Sequence, residues 1–190
     1  MASPSPDESK LKEMILYVSL VSEDDPNFGA MKLNKVLFYA DFLHFLETGT
    51  AISGVEYQRN FHGPTARRML PVQRALVEAG AAIYKKVHAR PMAHDRFIVL
   101  HHPNLTKFSA SEVATIDRVL RNFEELTGAA VENRPHEFIW WRLAKQGETI
   151  PYGVVAVPNV PIDLTDDEAA WAIGVVDADG RTDEQRTATV

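Results

Sequence analysis

The stretch from Met31 to Gly49 is apolar around most of a helical circumference, and it constrains the fold more than any other part of the chain. Leu33, Leu37 and Leu43 recur at helical spacing, and three phenylalanines cover the other faces. A helix with so little polar surface packs against neighbours on several sides, so we predict a buried central helix. Its charged interruptions make it unsuited to spanning a membrane. Gly49 is predicted to cap its C-terminal end.

Two polar residues, Asn34 and Asp41, lie seven positions apart in this stretch and therefore share one stripe of the predicted helix. Buried polar groups are normally hydrogen-bonded, so one interpretation is that both residues bond to neighbouring groups inside the core. The alternative is that the stripe opens onto a binding surface. The sequence leaves both interpretations open.

The composition is that of one globular domain. The chain has 190 residues, of which 45% are hydrophobic and 24% are charged, and it contains no cysteine. Disulfides, thiolate nucleophiles and cysteine-ligated zinc are therefore excluded. The N-terminus has no basic segment followed by an apolar run, so we expect no secretory signal and a cytoplasmic protein. We expect the domain to span residues 8–174, between a disordered N-terminus (1–7) and a disordered acidic tail (175–190).

The formal net charge of −6 is unevenly distributed. Between positions 58 and 96 the chain carries eight basic residues and two acidic ones, whereas the remainder carries twelve basic and twenty-four acidic residues. This basic middle third suggests an acidic partner, either protein or nucleic acid, but it can equally be balanced by the acidic remainder. The basic residues are Arg59, Arg67, Arg68, Arg74, Lys85, Lys86, Arg90 and Arg96.

The rest of the chain predicts a mainly helical domain. Apolar residues at helical spacing predict a first helix over Glu8–Val21, and a loose alternation predicts an extended segment over Ala51–Asn60. Ser109 and Glu112 form the Ser-x-x-Glu pattern of a capping box, which predicts the start of a later helix. The predicted fold is therefore α+β and predominantly α-helical, a compact domain around the buried central helix with a small β-hairpin.

The His-Gly-Pro sequence at positions 62–64 predicts a break in the chain. Proline suits the first turn of a helix, so we predict a helix from Pro64 to Ala79 whose first turns carry Arg67 and Arg68. Pro71 lies inside this pattern and predicts either a kink or a late helix start.

Three further segments complete the prediction. Residues 81–88 and 96–101 predict the two strands of the hairpin. His136–Gly147 predicts another helix, and Thr165 is expected to cap a last one.

The sequence offers no recognisable catalytic site. It has no Gly-rich phosphate loop, no G-x-S-x-G and no H-E-x-x-H motif. His101 and His102 are adjacent, and neighbours in a strand point to opposite faces, so they are not expected to share a metal ion. We therefore expect no catalytic residue, no metal site and no cofactor. On a helix Trp140 and Trp141 would point about 100° apart, which leaves open both core packing and an interface role for an exposed tryptophan.

Four segments follow one another in a fixed order: KLNKVLFYA (Lys32–Ala40), TGTAISG (Thr48–Gly54), HGP (His62–Pro64) and WRLAKQGETIPY (Trp141–Tyr152). This order resembles the Panacea domain, also called the SocA-like antitoxin domain. In that family a K-L-x-K-L-L-Y-x-A helix leads through T-G-x-x-I-x-G to Y-G-P, and the domain ends on W-x-x-A-x-x-G-x-x-I-P-Y. His62 stands where the family usually has a tyrosine.

The resemblance implies an antitoxin, encoded beside a toxin that it neutralises by direct protein binding. The implied partner is the cognate toxin protein. Some members of the family are described as adaptors that deliver the toxin to a Clp-type protease, so such a protease is a second implied partner. The resemblance implies a mostly helical fold, no catalysis and no cofactor, and we expect no membrane partner.

We predict that the partner-binding surface lies around the turn at positions 62–64, because this turn is basic and follows the central helix. The candidate residues are Arg59, His62, Gly63, Pro64, Arg67, Arg68 and Trp141. The alternative hypothesis is a DNA-binding regulator that uses the same basic segment, although a helix-turn-helix needs two short helices joined by a tight turn. A hydrolase or metal enzyme is a distant third hypothesis.

Overall fold

The computed structural model describes residues 4–87, 94–123 and 144–156, and in this part four α-helices and five short strands form a mainly helical α+β domain. This confirms the predicted fold class. The helices are α1 (Glu8–Val21), α2 (Ala30–Thr48), α3 (Met69–Glu78) and α4 (Ala110–Phe123). The strands are β1 (Tyr57–Asn60), β2 (Gly63–Ala66), β3 (Ala82–Val87), β4 (His94–Val99) and β5 (Thr149–Ile150). Among the described helices, none is long and apolar enough to cross a membrane.

Helix α2 forms the centre of the core, as the sequence predicts. Its Val36, Leu37 and Ala40 are completely buried, and helices α1 and α4 and strand β2 all contact it. At its end Gly49 has a left-handed φ of 76°, and its N–H donates to the carbonyl of Phe45 at 2.8 Å. The predicted glycine cap is therefore confirmed.

The two polar residues of the central helix bond to neighbouring groups. Asp41 is completely buried and accepts hydrogen bonds from Ser53 and Tyr57. The side-chain nitrogen of Asn34 donates to the backbone carbonyl of Ala30 at 2.9 Å. The contacts of Asp41 support the interpretation in which this residue is part of the core. Asn34 is half-buried, and its side-chain oxygen has no hydrogen-bond partner among the described residues, so its contacts do not decide between the two interpretations.

The predicted helix start at Pro64 is wrong. Gly63–Ala66 form strand β2 instead, and β2 pairs antiparallel with β1 so that Arg59 lies opposite Pro64. Because β2 is the edge strand in the order β2–β1–β5, a proline without an N–H is tolerated there. Helix α3 begins only at Met69, which confirms the late start. Pro71 is its third residue, where the N–H needs no partner within the helix.

The predicted hairpin is confirmed as strands β3 and β4. They pair antiparallel, from Ala82 opposite Val99 to Val87 opposite His94, and the connecting residues 88–93 lie outside the described part of the chain. Strand β4 contacts both α1 and α2, whereas most residues of β3 are exposed. The hairpin therefore covers the core with one strand and presents the other to solvent.

The predicted capping box at the start of α4 is also confirmed. The N–H of Glu112 donates to Ser109 Oγ at 3.2 Å, and the N–H of Ser109 donates to Glu112 Oε2 at 2.8 Å. Ile116, Val119 and Phe123 follow on the buried face, at the helical spacing that the sequence predicts.

Several predictions concern residues outside the described ranges. These are most of the helix from His136, both tryptophans at 140 and 141, and the last helix after Thr165. Residues 144–147 are described and form a turn, and the φ of Gly147 is 78°, which fits a turn. The prediction that the helix from His136 extends to Gly147 is therefore wrong. The domain limits at 8 and 174 stay predictions.

Candidate functional site

The turn at positions 62–64 lies at the tip of the β1–β2 hairpin. Phe61, beside His62 in this turn, is 78% exposed, more than any other large hydrophobic residue in the described ranges. Asn60 Oδ1 accepts hydrogen bonds from the N–H of Phe61 at 2.9 Å and from the side-chain amide of Gln146 at 3.0 Å. The tip is therefore an ordered turn that carries an exposed aromatic ring.

Lys35 of α2 supports this tip from the core side. Its side chain is 1% exposed, and its ammonium group donates to the backbone carbonyl of His62. Gly63 has a φ of 111°, a conformation that favours glycine. A Cβ at this position would also collide with the Lys35 side chain. The tip thus requires a glycine for its backbone conformation and for the space that the lysine occupies.

A buried polar cluster joins α2 to the chain that leads into β1. The Asp41 carboxylate accepts hydrogen bonds from Ser53 N–H at 2.6 Å, from Ser53 Oγ at 2.5 Å and from the Tyr57 hydroxyl at 2.8 Å. Burial raises the pKa of Asp41, and these hydrogen bonds oppose the rise. Burial likewise raises the pKa of Tyr57 well above its ordinary value, and the negative charge of Asp41 adds to this effect. The cluster fixes the position of the hairpin relative to the central helix.

Tyr152 closes this cluster from the C-terminal side. Its ring stacks on Phe42 with 4.3 Å between centroids, and its hydroxyl donates to the carbonyl of Val55 at 2.9 Å. Burial raises the pKa of Tyr152, and the nearby charge of Asp41 contributes to the same shift. Residues from the central helix, the TGTAISG segment and the IPY sequence therefore meet at one buried point.

Two of the predicted site arginines bind the chain segment that carries β5. Arg59 Nη1 donates to the carbonyl of Ala144 at 2.7 Å. Arg67 Nη2 donates to the carbonyl of Gly147 at 3.0 Å and to Thr149 Oγ1 at 2.8 Å. The side chains of both arginines thus hold the hairpin and the β5 segment together.

The remaining predicted residues are placed differently. Arg68 precedes α3 and forms an exposed ion pair with Glu8 at 3.0 Å. Pro64 is buried in β2, and Trp141 lies outside the described residues. The described structure therefore brings four of the seven candidates into one hairpin and places Arg67 and Arg68 directly after it. The four are Arg59, His62, Gly63 and Pro64.

The basic middle third does not form one exposed basic helix. Arg96 is buried and donates to two backbone carbonyls that follow α1, and Arg59 and Arg67 make the hydrogen bonds described above. Helix α3 carries a single basic residue, Arg74. A recognition helix presents several side chains to the groove of DNA, so in the described part of the chain this segment does not resemble one.

Sequence reasoning missed the residues that support the tip. Lys35 gave a usable signal, because a cation inside an apolar helix must find a partner. Ser53 and Tyr152 stand inside the TGTAISG and WRLAKQGETIPY motifs, which indicated the segments but not which of their residues pack together. Phe61 gave no signal, since a lone phenylalanine in a loop does not reveal whether it is buried.

These features describe a mainly helical domain in which buried polar contacts hold an exposed hairpin in place. Within the described ranges, no three side chains are grouped so that they could hold a metal ion. A family model described as antitoxin SocA-like, Panacea domain, matches residues 33–142, which is more than half of the 190-residue chain. The protein therefore belongs to the SocA-like antitoxin (Panacea domain) family, as the ordered motifs predict. No curated protein and no solved structure matches the chain.

Proposed function

We propose that this protein is a cytoplasmic antitoxin that neutralises a cognate toxin by direct protein–protein binding, without catalysis and without a cofactor. The observation that carries the proposal is the match of residues 33–142 to the antitoxin family. The family supports an antitoxin role in general. That neutralisation occurs by direct binding, and that the hairpin tip is the binding surface, are proposals supported by the geometry of this tip.

The proposed toxin-binding surface is the hairpin tip, with Phe61 and His62 at its centre. Arg68 follows β2 at the opposite end of the hairpin and is proposed as a contact at the edge of this surface. An aromatic ring that is 78% exposed on an ordered turn is suited to be a binding hot spot, because little conformational freedom is lost when a partner covers it. Gly63 and Pro64 set the course of the turn. Arg59 and Arg67 contribute by holding the β5 segment beside it. Trp141 stands three positions before Ala144, whose carbonyl Arg59 binds, and is proposed as a further contact.

The experiment is co-expression of the protein with the product of the adjacent gene, scored by growth. Phe61→Ser should reduce neutralisation, because it removes the exposed ring and leaves the support of the turn intact. Leu46→Ser is the matched control, since Leu46 is also exposed, at 54%, but lies near the C-terminal end of α2. Both variants should fold and unfold like the parent protein. Equal growth rescue by the two variants would reject the hairpin tip as the toxin-binding surface.

Delivery to a Clp-type protease is the second form of the proposal. Neutralisation by blocking should leave the toxin present in a complex that co-purifies. Neutralisation by delivery should lower the toxin level, and deletion of the protease should restore it. A toxin level that does not depend on the protease would reject the adaptor role and leave neutralisation by binding unaffected.

A further inference from the structure

Strand β3 has an open edge on the side away from β4. Its sheet consists of β3 and β4 alone, so among the described strands none pairs with this edge. Ala82 is buried, but residues 83–86 are all exposed, with Ile83 at 42% and Tyr84 at 48%. Two large apolar side chains and two lysines therefore follow one another on a strand edge that solvent reaches. This edge shares no residue with the hairpin tip.

The strand register determines which backbone groups of β3 face the open edge. The N–H of Leu100 donates to the carbonyl of Ala81 at 2.8 Å, so these two residues form a hydrogen-bonded pair. Hydrogen-bonded and non-hydrogen-bonded pairs alternate along an antiparallel ladder, so the odd-numbered positions of β3 bond to β4. The N–H and C=O groups of Tyr84 and Lys86 therefore point outward, and such groups can pair with one further strand.

The charges of β3 indicate what kind of strand fits this edge. Lys85 and Lys86 are neighbours in a strand, so their side chains point to opposite faces of the sheet. Neither lysine forms an ion pair within the described ranges. Arg74 and Asp95 lie beside Tyr84 and carry opposite charges, which leaves the positive charge of the two lysines uncompensated.

A second copy of this chain does not suit the edge. Pairing of β3 with β3 would bring the lysines of both copies together, and lysines on edge strands oppose self-pairing for this reason. A strand with two adjacent acidic residues does suit it, because its side chains alternate between the faces and place one carboxylate beside each lysine. Antiparallel pairing is the more stable arrangement, and it places the two residues that follow the acids opposite Tyr84 and Ile83.

We propose that β3 binds an extended segment of a partner protein as an additional antiparallel strand. The segment carries two adjacent acidic residues followed by two large apolar ones. The acids lie opposite Lys86 and Lys85, and the apolar residues lie opposite Tyr84 and Ile83. The first and third of these four residues exchange backbone hydrogen bonds with Lys86 and Tyr84. This interaction is separate from toxin binding at the hairpin tip.

The first test concerns the backbone pairing. It uses fluorescein-labelled peptides of about eight residues, with Glu-Glu-Val-Ile between threonines, and follows binding to the full-length protein by fluorescence anisotropy. N-methylation of the valine removes an N–H that donates to β3 and should weaken binding about tenfold. N-methylation of the second glutamate removes an N–H that points away from β3 and should leave the affinity unchanged. Equal effects of the two methylations would overturn the proposal.

The second test concerns the charges. A peptide with Gln-Gln-Val-Ile should bind about fivefold more weakly than the glutamate peptide, because two cross-strand ion pairs are lost. Lys85→Gln combined with Lys86→Gln should abolish this difference. Lys107→Gln combined with Arg121→Gln removes two exposed positive charges outside the β3–β4 hairpin and should preserve it.

Two results of the second test would overturn the proposal. One is equal affinity of the parent protein for the glutamate and glutamine peptides. The other is tighter binding of single-stranded oligothymidylate than of the glutamate peptide, lost when both lysines of β3 are replaced, which would indicate a nucleic-acid site instead. The substituted residues lie outside the hairpin tip, so these tests and the neutralisation test can fail independently.

Discussion

Replacing Gly63 by alanine tests whether the buried Lys35 supports the hairpin tip. At a φ of 111° an alanine is strained, which costs about 1–3 kcal/mol. Its Cβ would also displace the Lys35 ammonium from the His62 carbonyl, and the loss of a hydrogen bond from a charged donor costs about 1.5–3 kcal/mol. We expect Gly63→Ala to lower the free energy of unfolding by about 3–5 kcal/mol.

Gly80→Ala separates the two contributions. Gly80 also has a positive φ, of 70°, but a Cβ there would meet no atom within 4 Å. We therefore expect it to cost only the backbone strain, about 1 kcal/mol. In a Lys35→Ala background the steric conflict at position 63 is gone, so Gly63→Ala should then cost only its own backbone strain.

Urea unfolding of the four variants and the parent measures these differences. Equal losses for Gly63→Ala and Gly80→Ala would refute the proposed contact between Lys35 and the turn. An unchanged cost of Gly63→Ala in the Lys35→Ala background would refute it independently, because residues in contact must show a coupling energy.

Two further changes test the buried cluster and the α4 cap. Because burial raises the pKa of Asp41, the folded chain binds this proton more tightly than the unfolded chain, and the stability contributed by Asp41 falls as pH rises from about 4 through the raised pKa. The side chain introduced by Asp41→Asn does not titrate. The unfolding free energy of the parent minus that of the variant, measured by urea unfolding at several pH values, should therefore decrease as pH rises over this range. A difference that stays constant with pH would contradict the raised pKa of Asp41. Ser109→Ala removes the Oγ that caps α4 and should lower the unfolding free energy by about 1 kcal/mol, whereas a loss below the error of urea unfolding would argue against the cap.

Local signals in the sequence predicted local structure correctly. The Ser109–Glu112 pattern and Gly49 each act through backbone groups a few residues away, so the start of α4 and the end of α2 could be placed from the sequence. The apolar circumference of α2 likewise predicted its burial, because a helix without a polar face must be covered.

Long-range pairing accounts for the main error and for the unpredicted contacts. Pro64 suits a helix start by its local geometry, but pairing with β1 places it in a strand instead. The guanidinium groups of Arg59 and Arg67 bind a segment some eighty positions later in the chain, which no local pattern indicates. The break in the chain at positions 62–64 was therefore predictable, whereas the strand that follows it and the bonding partners of Arg59 and Arg67 were not.

Direct binding between the purified protein and the product of the adjacent gene tests the antitoxin proposal most directly. We expect the two proteins to form a complex that survives size-exclusion chromatography, and we expect Phe61→Ser to weaken this complex while Leu46→Ser does not. Neutralisation by direct binding would be contradicted by the following result: the neighbouring protein arrests growth, co-expression of this antitoxin-family protein relieves the arrest, and the two proteins do not bind each other in solution.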